Sequence, residues 1–221
     1  AVKEDYSYRG SFAVKPLAKD VYLFENVTET TGQWSYNVLV VVLGDSVLVA
    51  EAPVSSAVSD SVLAKVREIA PGKPVRYLVQ SHHHGDHLGG IRSYIAEGAT
   101  ILAGAGTAGL IEKIARAPFE LAPDRLQKEP RAPKIEVVRG SRTIRSGGRE
   151  VVIHDIGPSP HARDMLFVHL PRERILYQAD LVNEGEYPEN ETTRHFQARL
   201  KALGLEVKTL AGLHGKVRTL N

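Results

Sequence analysis

The chain contains no cysteine. Disulfides, thiolate nucleophiles and thiolate metal sites are therefore excluded, and any metal held here must be held through nitrogen and oxygen. Long apolar runs are also missing. The longest, Val38 to Leu43, has the length of a strand and falls far short of a membrane span. Charge of one sign is not in excess: 28 basic and 26 acidic residues are scattered along 221 positions, for a net charge of +2. Without a basic block or interleaved aromatics, nucleic acid is not an expected partner, and neither is a membrane. There is no internal repeat and no low-complexity segment. What remains is 43% hydrophobic and 24% charged, an ordinary soluble globular composition whose length suits one domain spanning residues 1–221.

Short β-type runs are predicted at Val21–Glu25, Tyr36–Leu43, Ser46–Ala50, Val75–Gln80, Thr100–Leu102, Ile135–Val138, Val151–Ile156, Met165–Leu170, Arg174–Gln178 and Val207–Leu210. Gly44-Asp45 and Gly147-Gly148 read as hairpin turns, the second with Arg142–Arg145 as its partner strand. Helical periodicity marks Ala57–Ile69, Ile91–Ala96, Thr107–Arg116 and Thr192–Leu203, with Pro71 as a stop after the first. The order runs from antiparallel β structure through β-α alternation and back to β, then ends with a helix and a strand. That order implies two packed sheets with helices outside. Arg116–Pro133, with four prolines, is the one long irregular piece.

Histidine is concentrated instead of scattered. The stretch S-H-H-H-G-D-H-L-G-G, residues 81–90, holds four of the nine histidines. It follows the predicted strand Val75–Gln80, so His82 and His84 share one face of an extended segment while His83 points away. Gly85 permits a sharp change of direction, after which Asp86 and His87 present from a turn. Two imidazoles on one side and a carboxylate with an imidazole on the other make two half-sites suited to divalent zinc. Further ligands must come from elsewhere, and three candidates each follow a predicted strand: His161, Asp180 and His214. His154 and His169 lie inside predicted strands and His195 inside a helix, where structural or surface roles are expected.

H-x-H-x-D-H, followed by a histidine, an aspartate and a last histidine, each after a strand, resembles the metallo-β-lactamase superfamily. The resemblance covers nearly the whole chain. It implies an α+β fold, a four-layer αββα sandwich of two mixed sheets flanked by helices. It implies two Zn²⁺, with iron or a mixed pair as the alternative. His82, His84 and His161 would bind one ion, Asp86, His87 and His214 the second, and Asp180 would bridge them. The implied activity is hydrolysis of a small-molecule carbonyl substrate (thioester, lactone or ester, or β-lactam) by a metal-held hydroxide that Asp86 orients. An iron-dependent persulfide dioxygenase-like enzyme and a phosphodiesterase are the alternatives on the same fold. The likeness to exported relatives, with an opening Ala-Val in place of methionine, favours an exported or periplasmic protein over a cytoplasmic one. Oligomeric state is left open.

The sequence also departs from the family's pattern. Where an aspartate usually follows the strand at Ser46–Ala50, this chain reads V-A-E-A-P, which offers Glu51 as the support of the ligand loop from behind. The third histidine usually sits in G-H-T-x-G and here sits in S-P-H-A-R-D. Arg163 is expected either to meet a substrate carboxylate or to hold Asp164, and Asp164 itself to cap locally. Substrate selection is expected from Thr28–Tyr36, Arg116–Pro133 and Asn183–Arg194. Trp34 is expected in core or rim packing, and Glu184, Glu186 and Tyr187 in a solvated loop.

Overall fold

In the computed structural model, residues 12–28, 36–182 and 190–220 are described. Trp34, Glu184, Glu186 and Tyr187 lie outside them, as do most of the two loops that carry these residues.

The first sheet is built in chain order by β1 (Ala13–Ala18), β2 (Val21–Glu25), β3 (Val38–Val42) and β4 (Val47–Ala50), all antiparallel neighbours. After the helix α1 (Ser56–Ile69), β5 (Val75–Val79) adds parallel to β4. The short α2 (Gly85–Leu88) and then α3 (Ile91–Glu97) lead to β6 (Thr100–Ala103). α4 (Ala105–Arg116) and the single turn α5 (Arg125–Lys128) lead to β7 (Lys134–Val137), which completes seven strands in the order β1-β2-β3-β4-β5-β6-β7. The second sheet takes β8 (Ser141–Ser146), β9 (Arg149–Asp155), β10 (Leu166–Leu170) and β11 (Ile175–Gln178). It then takes α6 (Glu191–Ala202), β12 (Thr209–Gly212) and β13 (Arg218–Thr219), in the strand order β13-β12-β11-β10-β9-β8. The β11–β12 pair is parallel and the rest antiparallel, so both sheets are mixed.

The reasons are local before they are global. β3 is V-L-V-V-V with every side chain buried, the composition of a strand covered on both faces. α1 buries Val58, Val62, Leu63 and Val66 on one stripe, and its N-cap Ser55 accepts from the Val58 amide. α6 starts at Asn190, whose side chain accepts from the Thr193 amide. Two apolar clusters follow. One lies between the sheets and under α1 and α3; the other, with Phe167, Leu176, Phe196 and Leu210, lies between the second sheet and α6.

The expected two-sheet sandwich with outer helices is the fold observed. The bounds of the expected elements lie within two residues of the observed ones; α4 starts at Ala105 ahead of the expected Thr107, and β12 is Thr209–Gly212 in place of Val207–Leu210. β1 was not foreseen, because A-V-K-P-L-A carries no two-residue alternation and buries no residue fully. Arg116–Pro133 is not a free excursion. Arg92, buried in α3, donates to both Asp124 carboxylate oxygens at 2.6 and 3.0 Å and to the carbonyls of Ile114, Ala115 and Ala117.

Both expected hairpin turns form, and they touch. Gly147 and Gly148 have φ of 60° and 76°, which the two-residue turn between β8 and β9 requires. A Cβ on Gly44, in the β3–β4 turn, would lie 2.8 Å from Gly147 Cα, and Ser146 Oγ donates to Asp45 Oδ1 at 2.9 Å. This contact joins the sheets at the end where β4 and β9 begin, away from the ends that carry the ligand loops.

His154 and His169 sit on β9 and β10 as expected, both buried. Neither ring nitrogen of His154 has a hydrogen-bond partner. Burial first, and the neighbouring His169 second, push its pKa down to about 4. The unfolded chain binds a proton at this imidazole near pH 6.5 and the folded chain does not. The neutral side chain's stability is therefore present above pH 6.5 and lost as pH falls towards 4. His154→Leu should remove roughly 1–3 kcal/mol of the loss between pH 7 and 4.5. Urea midpoints of both proteins at several pH values measure this; parallel curves would refute it.

Candidate metal centre

β5, β9, β11 and β12 each end at one edge of the sandwich, and the next few residues of each carry a candidate ligand. After β5 the chain stays extended through Ser81–His84, with His82 buried and His83 exposed, as the two-residue alternation requires. The ring centroids of His82 and His84 are 4.4 Å apart. Gly85 opens α2, which swings Asp86 and His87 to the other side. The diglycine that follows is a packing demand. A Cβ on Gly89 would lie 2.0 Å from the Val54 carbonyl oxygen, and one on Gly90 1.9 Å from Ser59 Oγ.

Two clusters result. One atom each from His82, His84, His161 and Asp180 lie within 4.8 Å of one another, and so do one each from Asp86, His87 and His214. The Asp180 carboxylate stands between them. Its Oδ2 is 2.9 Å from His87 Nε2, 3.1 Å from His161 Nε2 and 3.4 Å from His82 Nε2, and its Oδ1 is 3.2 Å from His214 Nε2. All seven residues singled out in the sequence are thus brought together.

The supports are equally specific. Asp180 has a left-handed φ of 57°, uncommon for a residue with a side chain. Gln178 holds that turn, its Oε1 accepting from the amides of Leu181 and Val182 and its Nε2 donating to the Val182 carbonyl. Glu51 is buried and its Oε2 is 3.0 Å from His87 Nδ1, so the longer acid does stand behind the ligand loop. Ser81 Oγ meets His82 Nδ1 at 2.8 Å. With both Nδ1 atoms engaged, the two Nε2 atoms face inward. Tyr36 donates to Asp86 Oδ2 at 3.1 Å and packs its ring on His214 at 4.7 Å between centroids. Asn37 donates to the Gly212 and Gly215 carbonyls, which fixes the turn that carries His214 to the start of β3. Sequence reasoning missed Tyr36, Asn37 and Gln178. A polar residue at either end of a buried apolar run was the one signal available.

The loop before β10 is fastened at two points. Ser159 Oγ accepts from the amides of His161 and Ala162, which folds S-P-H-A into a tight turn. Asp164 does not cap locally; it reaches the start of α4. Its Oδ2 accepts from the Gly106 and Thr107 amides at 3.0 Å each, and Thr107 Oγ1 donates to Oδ1 at 3.3 Å. Gly104 leaves the room, since a Cβ there would be 2.0 Å from Asp164 Oδ2.

The donor set fits a cation. His161 Nε2 and His82 Nε2 face each other at 3.2 Å, and two such nitrogens can share only one proton. His87 Nε2 is buried and close to Asp180 Oδ2, yet off the line that a hydrogen bond needs, so it ends without one. Burial pushes the pKa of His82 and His84 down, which leaves them as the neutral imidazoles a metal takes. Burial would raise Asp180, but His161, His214, His82 and His87 hold it well below the usual carboxylate range. Burial would likewise lower His87, but Glu51 and Asp180 outweigh it and raise its pKa. Positive charge among these groups is strongly favoured.

Comparison with known proteins identifies the family and the fold. The sequence profile of the metallo-beta-lactamase superfamily matches residues 32–214. The chain belongs to that superfamily. A metallo-beta-lactamase from Pontibacter korlensis superposes with a TM-score of 0.72 at 18% identity, over 95% of this chain and 94% of that one. The metallo-beta-lactamase FIM-1 from Pseudomonas aeruginosa, in a mono-zinc form, gives 0.71 at 18% identity over 95% and 90%. DIM-1 metallo-beta-lactamase gives 0.70 at 19% over 95% and 92%. At these identities the likeness is one of fold. No curated protein matches the sequence. No helix among the described residues is long and apolar enough to cross a membrane.

Asp164→Ala should lower stability by roughly 2–4 kcal/mol through the loss of hydrogen bonds to a buried carboxylate. Asp164→Asn, which keeps one acceptor oxygen for the Gly106 and Thr107 amides, should lose less. Urea unfolding of the two variants tests this, and equal losses would show that the acceptor kept in Asn contributes nothing.

Proposed function

We propose that this protein is a two-zinc hydrolase acting on an activated carbonyl, a thioester, a lactone or other ester, or a β-lactam. The observation that carries the reading is the Asp180 carboxylate set between two ligand clusters, with Oδ2 towards His82, His87 and His161 and Oδ1 towards His214. His82, His84 and His161 would hold one ion, Asp86, His87 and His214 the other, and Asp180 both. Bound there, zinc supplies Lewis acidity and a water acidic enough to be a nucleophile near neutral pH.

The chain's own residues do the rest. Asp86 is partly exposed, so its carboxylate can accept the proton of the attacking water and hold that water in line with the carbonyl. Tyr36 occupies Asp86 Oδ2 and so fixes which oxygen is free. Glu51 keeps His87 in the tautomer with Nε2 facing the site. A single site reading, with iron on the His82, His84, His161 and Asp180 group alone, is the persulfide dioxygenase alternative.

His84→Ala should abolish turnover, lower the metal content and leave the far-ultraviolet circular dichroism unchanged, because His84 lies on a loop outside the core. Elemental analysis of protein purified without added metal, run beside thioester, lactone, β-lactam and phosphodiester substrates, tests the whole reading. About two zinc ions per chain and one carbonyl class hydrolysed are expected. One iron per chain without hydrolysis would replace it with the dioxygenase.

A further inference from the structure

Beside the metal clusters lies a cleft of about 550 Å³, within the range of small-molecule sites. Val54 and Ala57, at the start of α1, form one wall; Pro118, Phe119, Leu121 and Ala122, after α4, form the other. Five large hydrophobic side chains are exposed among the described residues, and three of them line this cleft: Val54 at 43%, Phe119 at 37% and Leu121 at 104%. Single exposed apolar residues are ordinary, but three converging on one concavity mark a binding surface.

Both walls are fixed. The Arg92 guanidinium lies 4.0 Å above the Phe119 ring while it grips Asp124, so the far wall is pinned to α3. Val54 has a left-handed φ of 62°, a real outlier for a β-branched residue. Its amide donates to the Asp86 carbonyl at 2.8 Å, and Gly89 packs against its own carbonyl. The near wall is therefore fastened directly to α2, the helix that carries Asp86 and His87, and Gly85 and Asp86 beside it are exposed. The wall of the cleft is thus joined through the backbone to the helix that carries two of the candidate ligands. Its ionisable lining is acidic only. Asp124 is engaged by Arg92 and by the Gln127 amide, which leaves exposed Glu120 to repel an anionic group.

We propose that the cleft binds an uncharged aliphatic chain belonging to the molecule whose reacting carbonyl is held at the metal clusters. The reacting end of this statement rests on the hydrolase reading; the binding of the chain does not. The ligand class follows from apolar walls, a rim without a cation and an attachment to the ligand helix. It makes the protein selective for substrates with a medium-length acyl or alkyl group over short ones.

Two measurements test it separately. Protein labelled with ¹³C at leucine and valine methyls is titrated with 1-octanol, and with ethanol as control. Saturable shifts at Val54 and Leu121 are expected with octanol alone, and the loss of the Val54 shift in a Phe119→Ser, Leu121→Asp double variant. Metal-loaded protein is then given thioesters with acyl chains from acetyl to octanoyl. The wild type should gain about fourfold in kcat/KM per added methylene over several carbons. The double variant should show a flat series. Absence of the methyl shifts, or a chain-length slope that is flat in the wild type or survives in the double variant, overturns the proposal. Octanol binding without hydrolysis of any carbonyl substrate upholds the cleft and brings down the hydrolase reading instead.

Discussion

The rest of the structure depends on one carboxylate placed among imidazoles. Asp180 is mostly buried, and a buried anion is tolerated only where compensating groups surround it. Four histidine nitrogens do so, from His82 and His87 on the first sheet's side and from His161 and His214 on the second's. None of these groups could occupy its place alone. A cluster of neutral imidazoles would leave ring nitrogens facing one another, and a lone carboxylate there would take up a proton. The left-handed backbone at Asp180, the side chain of Gln178 behind it and the single-turn helix α2 all serve to bring these groups to one point.

A fold of two sheets suits this demand. Ligands drawn from the ends of β5, β9, β11 and β12 approach from opposite sides of the seam between the sheets. Cross-links hold that seam closed beside the ligands. The Leu166 amide donates to the Ser81 carbonyl, Asn37 meets the His214 turn, and Tyr177 donates to the Asn37 carbonyl. The hydrophobic core sets the distance between the sheets, and these polar contacts set their register where the chemistry is placed.

Much of this was legible in the sequence. The seven ligand candidates could be read because metal ligation leaves a local signature, alternate histidines and a glycine turn, and because each distant partner follows an apolar run. Glu51 could be read from its place after β4. Other parts could not. Tyr36 and Gln178 act across turns whose shape is set by tertiary contacts. Asp164 looked local and instead reaches α4, a contact that depends on the absence of a side chain at Gly104. The cleft beside α2 was also hidden. Arg116–Pro133 was recognised as a candidate for substrate selection, but its pinning by Arg92 links residues distant in sequence. The strained backbone of Val54 has no signature at all in V-A-E-A-P-V.

The glycine contact at the far end carries a consequence for how such a chain can vary. Gly44 and Gly147 belong to turns of different sheets, and each would drive a Cβ into the other's backbone, at 2.8 Å from one side and 2.6 Å from the other. A methyl group gained at either position acts as a wedge between the sheets, and a second methyl at its partner would worsen the clash. Compensation by a paired change is therefore closed to these two positions. In any lineage that keeps this packing they would drift together only by remaining as they are.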